Sequence, residues 1–279
     1  MQSLIEAAHL PKITDNQLIL IDASGTPGSR ETYLSQHPVG ALYVDLNHDL
    51  SDIKDNAAEG GRHPLPTIGN FAELLTQLGI TPEHHVVIYD HMYGANAAAR
   101  MWWMLKAIGH ERVQVVNGGF EAIQNEGMEM TSGPEKAAPA KDAYPARGWQ
   151  LPIVGLDELI NISQHSSQTI IDVRESKRYH GESEPIDLIA GHIPNAINVP
   201  FQDNLSKSGK FKSSDELKSL YSAQKDQLDN GRVIVHCGSG VTACHTILAM
   251  DHAGLPLPTL YVGSWSEWSR NDLPMITQH

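Results

Sequence analysis

The chain of 279 residues holds only two cysteines, Cys237 and Cys244, seven positions apart. That spacing supports no disulfide framework, and two thiols are easiest to keep reduced inside a cell, so a cytoplasmic protein is expected. Long apolar runs are missing as well. The opening MQSLIEAAHLPKITDNQ lacks a basic start followed by an apolar core, so no secretory signal is read there. No later stretch is long and apolar enough to span a bilayer. Positive charge is scarce, with 20 Lys and Arg against 33 Asp and Glu, a formal net charge of −13. This argues against a nucleic-acid or acidic-membrane partner, for which a basic face would be expected. It does not exclude a small anionic ligand, for which a few local arginines suffice. The 15 histidines are scattered without ligand-like spacing, so no metal is expected.

What the chain does have is itself, twice. Leu18 to Asp22 (LILID) is matched by Thr169 to Asp172 (TIID), at an offset of 150 residues. HPVGALYVDL at His37 to Leu46 pairs with GHIPNAINVPF at Gly191 to Phe201, and HHVVIYD at His84 to Asp90 with GRVIVHC at Gly231 to Cys237. Trp102 to Ile123 is answered by Thr246 to Trp268, with Gly109 and Gly254 offset by 145. One register kept through four elements indicates duplication of a whole domain rather than a short-period solenoid. Each half alternates strand, helix and short loop, which predicts an α/β fold with a mostly parallel sheet covered by helices on both faces. Thr131 to Gln150, rich in Pro, Ala, Gly and charge, reads as a linker. The expected division is therefore 1–131, linker 132–150, and 151–279.

The stretch with the strongest chemical signal is GRVIVHCGSGVTACHTILAM, Gly231 to Met250. Val233, Ile234 and Val235 form a β-branched run suited to a buried parallel strand, and Ala243, Ile247, Leu248 and Met250 mark an apolar helical stripe. Cys237 thus lies at the C-terminal end of a strand, the edge where open α/β sheets bind ligands. Gly238 and Gly240 let the backbone curl, so that successive N–H groups from Ser239 to Thr242 can meet an anion at the start of a helix. Such surroundings lower a thiol pKa from about 8.5 into a range of roughly 3.5 to 7.5, giving a nucleophilic thiolate. Core packing asks for none of these glycines and hydroxyls. Cys244, two turns into the helix, is expected only to pack. The equivalent of Cys237 in the first half is Asp90, so that half is expected to be catalytically inactive.

The loop Cys237-Gly238-Ser239-Gly240-Val241-Thr242 resembles the active-site loop of the rhodanese superfamily of two-domain sulfurtransferases, and its wording CGSGVT is most similar to the 3-mercaptopyruvate sulfurtransferases. The resemblance covers nearly the whole chain. It implies transfer of sulfur through a Cys237 persulfide from a small anionic donor to cyanide or a thiol acceptor, such as a thioredoxin-like protein, with no cofactor. It implies that Arg178, before Tyr179, binds substrate and that Arg174 forms structural salt bridges. Thiosulfate-preferring relatives carry basic residues inside the loop, and this chain has none between Cys237 and Thr242. Many mercaptopyruvate enzymes also place an arginine after the Glu-Pro pair, where Glu184-Pro185 is here followed by Ile186. Lys177 or Arg62 could compensate.

Gly61-Arg62-His63-Pro64-Leu65-Pro66 resembles the family segment whose histidine faces the cleft. His63 is thus either a proton relay or a loop histidine bonded to local backbone. The relay's acidic partner would fall at Asn47, between Asp45 and Asp49. Ser239 is a candidate to protonate the leaving enolate or to bind its carboxylate, and Thr242 to bond the persulfide or close the loop, with helix capping the alternative for both. A cysteine phosphatase would need an arginine six positions after its nucleophile, where Ala243 stands, and so would lack its main charge clamp. A persulfide carrier without turnover of its own is the non-enzymatic alternative.

Overall fold

The computed structural model describes residues 1–13, 17–165, 168–222 and 233–277. They form two compact units: Met1–Asp52, Pro66–Leu151 and Ser208–Lys210 make the first, and Ile53–Leu65, Pro152–Lys207 and Phe211–His279 the second.

In the first unit, five strands form a sheet: β1 (Leu4–Glu6), β2 (Leu18–Ser24), β4 (Leu42–Asp45), β5 (His85–Tyr89) and β6 (Val113–Asn117). Their order is β1-β6-β5-β2-β4 and every pairing is parallel. Every residue of β5 and β6 is buried. Side chains alternate between the two faces of a strand, so both faces of this sheet are covered. A short antiparallel pair, β3 (His37–Pro38) with β7 (Met130–Thr131), lies outside it. The stretch read as a linker packs within this unit. Ala140 N–H donates to Thr76 O at 2.8 Å, Tyr144 N–H to Thr76 Oγ1 at 3.0 Å, and Gln150 N–H to Ala107 O at 2.6 Å.

The second unit repeats the plan with β8 (Ile153–Val154), β9 (Thr169–Asp172), β10 (Ala196–Asn198), β11 (Val233–His236) and β12 (Thr259–Tyr261). The order β10-β9-β11-β12-β8, again all parallel, is that of the first sheet read from its other edge. Strand for strand, β9 answers β2 and β11 answers β5, as the repeat predicts. Gly231 and Arg232, at the head of the expected strand, lie outside the described residues. The core of this unit joins Ile170 and Ile234 from the sheet to Leu159, Trp265 and Trp268 from helices. β11 is the middle strand, so its C-terminal end opens at the centre of the sheet edge.

Candidate active site

Cys237 follows the last residue of β11, and the helix Thr242–His252 begins at the sixth loop position. The curl between them depends on Gly240, whose φ is +74° and on which a Cβ would sit 2.5 Å from the carbonyl oxygen of Val262. No L side chain fits there without strain. The loop is held from below by one short helix, Ser264–Trp268. Trp265 N–H donates to Cys237 O and Ser266 N–H to Gly238 O, each at 2.9 Å, while Cys237 N–H donates to Ser264 Oγ at 3.2 Å. Ser264 itself has φ +55°, a left-handed conformation that costs a non-glycine residue about 1 kcal/mol. The matching position in the first unit is Gly119, at φ +59°. Serine takes the strained position because its hydroxyl meets the Cys237 amide and donates to Tyr261 O at 2.9 Å.

Cys237 is 1% exposed. Cys244 is fully buried and donates its S–H to Gly240 O at 3.2 Å, so it packs beneath the loop and braces it. Val241 is buried beside it, and Thr242 is half-buried at the helix start.

A second loop is laid over the same short helix. Gly60 N–H donates to Glu267 Oε1 at 2.8 Å, Arg62 N–H to Ser266 Oγ at 3.0 Å, and Asn271 Nδ2 to Ala58 O at 2.9 Å. Gly61 is left-handed, and a Cβ on it would collide with the carbonyl of Gly263. This close approach delivers the next two side chains to the cysteine loop. His63 Nδ1 lies 2.8 Å from Ser239 Oγ, a hydrogen bond between the two proposed relay residues. Ser239 is therefore bonded through its side chain to His63. Neither Asp45 nor Asp49 is a free carboxylate: Asp45 accepts the N–H groups of Asn47 and His48, and Asp49 that of Asp45.

Arginine gathers where the loop carries none. Arg178 places Nε 3.0 Å from Glu184 Oε2 and Nη2 3.0 Å from Asp187 Oδ2. Burial alone would lower its pKa, but Glu184, Asp187 and Cys237 outweigh it and hold the guanidinium charged. Arg62 Nε donates to Asp187 Oδ1 at 2.9 Å. A Cβ on Gly238 would lie 3.0 Å from Arg62 Nη2 and 3.3 Å from Arg178 Nη2, so both guanidiniums abut the residue after the cysteine. Lys177, the other compensating candidate, is exposed.

Arg174 does something different. Its guanidinium binds Asp172 through Nε and Nη2, reaches Glu184 at 3.3 Å and Gly191 O at 2.6 Å, and lies 4.5 Å over the Trp265 ring. It ties β9 to the segment around Glu184. Burial works against ionisation of both Glu184 and Asp172, yet their arginine and amide partners prevail and hold both pKa values below the usual carboxylate range.

In the first unit the corresponding loop is filled by its own side chain. Asp90, 1% exposed, accepts the N–H groups of Met92 and Gly94 on one oxygen and those of Asn96 and Ala98 on the other, at 2.7 to 3.3 Å. A cradle of four amides is what an anion-binding loop provides, and here a carboxylate of the chain occupies it. Burial pushes the Asp90 pKa up while the four amides oppose it.

Sequence reasoning missed Ser264, Ser266, Glu267, Asp187 and Arg270. Ser264 had a signal: at the repeat register Gly119-Phe120 is replaced by Ser264-Trp265, and a serine in a glycine position marks a hydroxyl with work to do. Ser266, Glu267, Asp187 and Arg270 had none, because their contacts depend on tertiary packing.

The rhodanese-like domain family matches residues 6–126 and 155–271. A probable 3-mercaptopyruvate sulfurtransferase of Pseudomonas aeruginosa is 37% identical over 238 residues, covering 85% of this chain and 82% of its own. The thiosulfate sulfurtransferase of Bos taurus is 34% identical over 272 residues, covering 95% and 89%. Among solved structures, the 3-mercaptopyruvate sulfotransferase SseA of Escherichia coli superposes with a TM-score of 0.80 at 30% identity, covering 96% of this chain and all of that one.

Proposed function

The chain belongs to the rhodanese-like family, and on that premise we propose that it is a sulfurtransferase whose Cys237 takes sulfur from 3-mercaptopyruvate and passes it to a thiol or to cyanide. Both mercaptopyruvate and thiosulfate enzymes stand among its relatives at similar identity, so kinship alone does not choose the donor. The observation that carries the choice is the 2.8 Å hydrogen bond between Ser239 Oγ and His63 Nδ1. Sulfite leaves thiosulfate without needing a proton on carbon. Pyruvate leaves as an enolate, and that enolate needs one.

In the first half-reaction the Cys237 thiolate attacks the donor sulfur, the new S–S bond forms, and the donor C–S bond breaks with its electron pair moving into the enolate. The proton first carried by the donor thiol is handed on through Ser239 and His63 to the enolate carbon, and pyruvate departs. Gly238, Gly240, Val241 and Thr242 supply backbone amides around the persulfide, and Arg178 takes part of the donor carboxylate. In the second half-reaction an acceptor thiolate attacks the outer sulfur and restores the Cys237 thiolate. The electron pair that sulfur gives up stays on the donor carbon, which becomes the methyl of pyruvate, so the scheme calls for no metal or organic cofactor. A thioredoxin-like protein or a small cytoplasmic thiol fits as acceptor. The first domain, with Asp90 at the cysteine position, does no sulfur chemistry of its own.

One observation favours thiosulfate as a second donor: the guanidiniums of Arg62 and Arg178 beside Gly238 supply cations that the loop sequence lacks. Rates measured with mercaptopyruvate, thiosulfate and a phosphate ester test the assignment. The expected order is mercaptopyruvate above thiosulfate, with no phosphate release; a thiosulfate rate equal to or above that of mercaptopyruvate would overturn it.

A further inference from the structure

The first unit keeps an imidazole where the second keeps a glycine. Asp90 answers Cys237 in the repeat, so His91, just past the C-terminal end of β5, stands at the place of Gly238. Behind it lies Asp22 of β2, which answers Asp172. In the second unit Asp172 is paired with Arg174, two residues on; two residues on from Asp22 stands Ser24, which brings a hydroxyl and no charge. The wholly buried Asp22 carboxylate accepts Ser24 Oγ at 2.7 Å on one oxygen and His91 Nε2 at 3.1 Å on the other. That bond fixes the ring. With its proton on Nε2, neutral His91 leaves a bare lone pair on Nδ1, and Nδ1 has no hydrogen-bond partner among the described residues.

The imidazole stacks on Phe120 at 4.4 Å, and its side chain is 26% exposed. It opens on a cavity of about 80 Å³ lined by His91, Tyr93, Gly118, Phe120 and Glu121, with room for about four or five heavy atoms. Tyr93 is held at φ +61°, a rare conformation for an aromatic residue, by packing its ring on Gly209 and donating its hydroxyl to Glu121. Charge decides what fits. Asp22 behind the ring and Glu121 at the opening make the cavity negative, while Lys210, which passes beside Gly118, is tied to Glu6 at 2.7 Å. An anion is repelled. A metal ion needs more protein ligands, and among the described residues no group of three His, Cys, Asp or Glu side chains gathers to hold one. A planar organic cation meets every feature: one N–H donates to Nδ1, another to Glu121, and its flat face lies on the Phe120 ring.

We propose that His91, Phe120 and Glu121 form a second binding site, in the first unit, for an amidinium or guanidinium cation, with Asp22 fixing the imidazole so that Nδ1 accepts. The site is independent of the sulfur donor used at Cys237. It gives a binding role to the unit whose own loop is filled by Asp90.

The test titrates the full chain at pH 8, where free imidazole is neutral, with acetamidine and with its uncharged counterpart acetamide, following the backbone amide resonances of Gly118 to Glu121. Acetamidine should shift them saturably with a Kd of about 1 to 10 mM, ordinary for four heavy atoms, and acetamide should bind at least about tenfold more weakly. Glu121→Gln, at an exposed position where folding is not at stake, should weaken acetamidine about tenfold by removing one charge-assisted hydrogen bond. His91→Phe, which keeps a ring against Phe120 and deletes the acceptor, should do the same. N-acetylarginine methylamide, titrated alongside, separates two sources of the cation. Tighter binding that also shifts the exposed Met92 assigns it to an arginine of a partner chain, and weaker binding to a small free amidine. No saturable shift, equal binding of acetamide and acetamidine, or an affinity unmoved by Glu121→Gln overturns the proposal. An affinity unmoved by a folded His91→Phe variant overturns it as well.

Discussion

Replacing Ser239 by alanine separates the two donors on chemical grounds. The substitution deletes the Oγ that lies 2.8 Å from His63 Nδ1 and leaves the backbone of the loop unchanged. Losing one neutral hydrogen bond at a site only 6% exposed costs about 1 kcal/mol of stability, too little to unfold a domain of this size. Catalysis should suffer far more. Positioned general acids contribute about 100- to 10,000-fold, so the rate with mercaptopyruvate should fall by about 100-fold or more. Sulfite needs no proton on carbon to leave, so the rate with thiosulfate should change by less than about threefold. With cyanide as acceptor for both donors, thiocyanate formation reads both reactions through the same second half-reaction, and the difference must arise in the first. Equal losses with the two donors would refute the relay and return Ser239 to a role in shaping the loop.

Further tests follow from the buried charges. Arg174→Met leaves Asp172 ionised and buried without its main partner, which should cost about 3 to 5 kcal/mol in chemical denaturation, and the double variant with Asp172→Leu should recover part of it. Burial holds the pKa values of His110, His192 and His236 below 6.5 in the folded chain. The unfolded chain therefore binds more protons once pH falls below about 6.5, and stability should drop progressively from there as pH falls toward the folded values. Thermal unfolding between pH 8 and 5.5 checks this, and His236→Gln should flatten the slope; a stability that rises on acidification would contradict it. Cys244→Ser should keep its activity, since a hydroxyl there can still donate to Gly240 O.

Much of this was legible in the residues themselves. Apolar β-branched runs at closely similar offsets gave two sheets of one strand order, because a buried parallel strand needs such a run whatever surrounds it. Cys237 could be found because glycines and hydroxyls between a strand and a helix have no packing purpose. The region from Ile53 to Leu65 was not legible as part of the second unit, since its place depends on the fit of Gly61 against the Gly263 carbonyl. Arg178 and Arg62 were legible as candidate cations, but their meeting was not, for a related reason. A loop without lysine or arginine looked poor in positive charge, while Arg62 and Arg178, far off in sequence, converge on Gly238 through a single buried aspartate.

The central claim is that Cys237 carries the transferred sulfur, and the intact mass of the protein after mercaptopyruvate addition, with no acceptor present, tests it most directly. One added sulfur atom per chain is predicted, located by peptide mapping on Cys237, accompanied by one pyruvate, removed by a thiol and absent from Cys237→Ser. Sulfur found on Cys244, or pyruvate released steadily with no adduct on Cys237, would contradict the account.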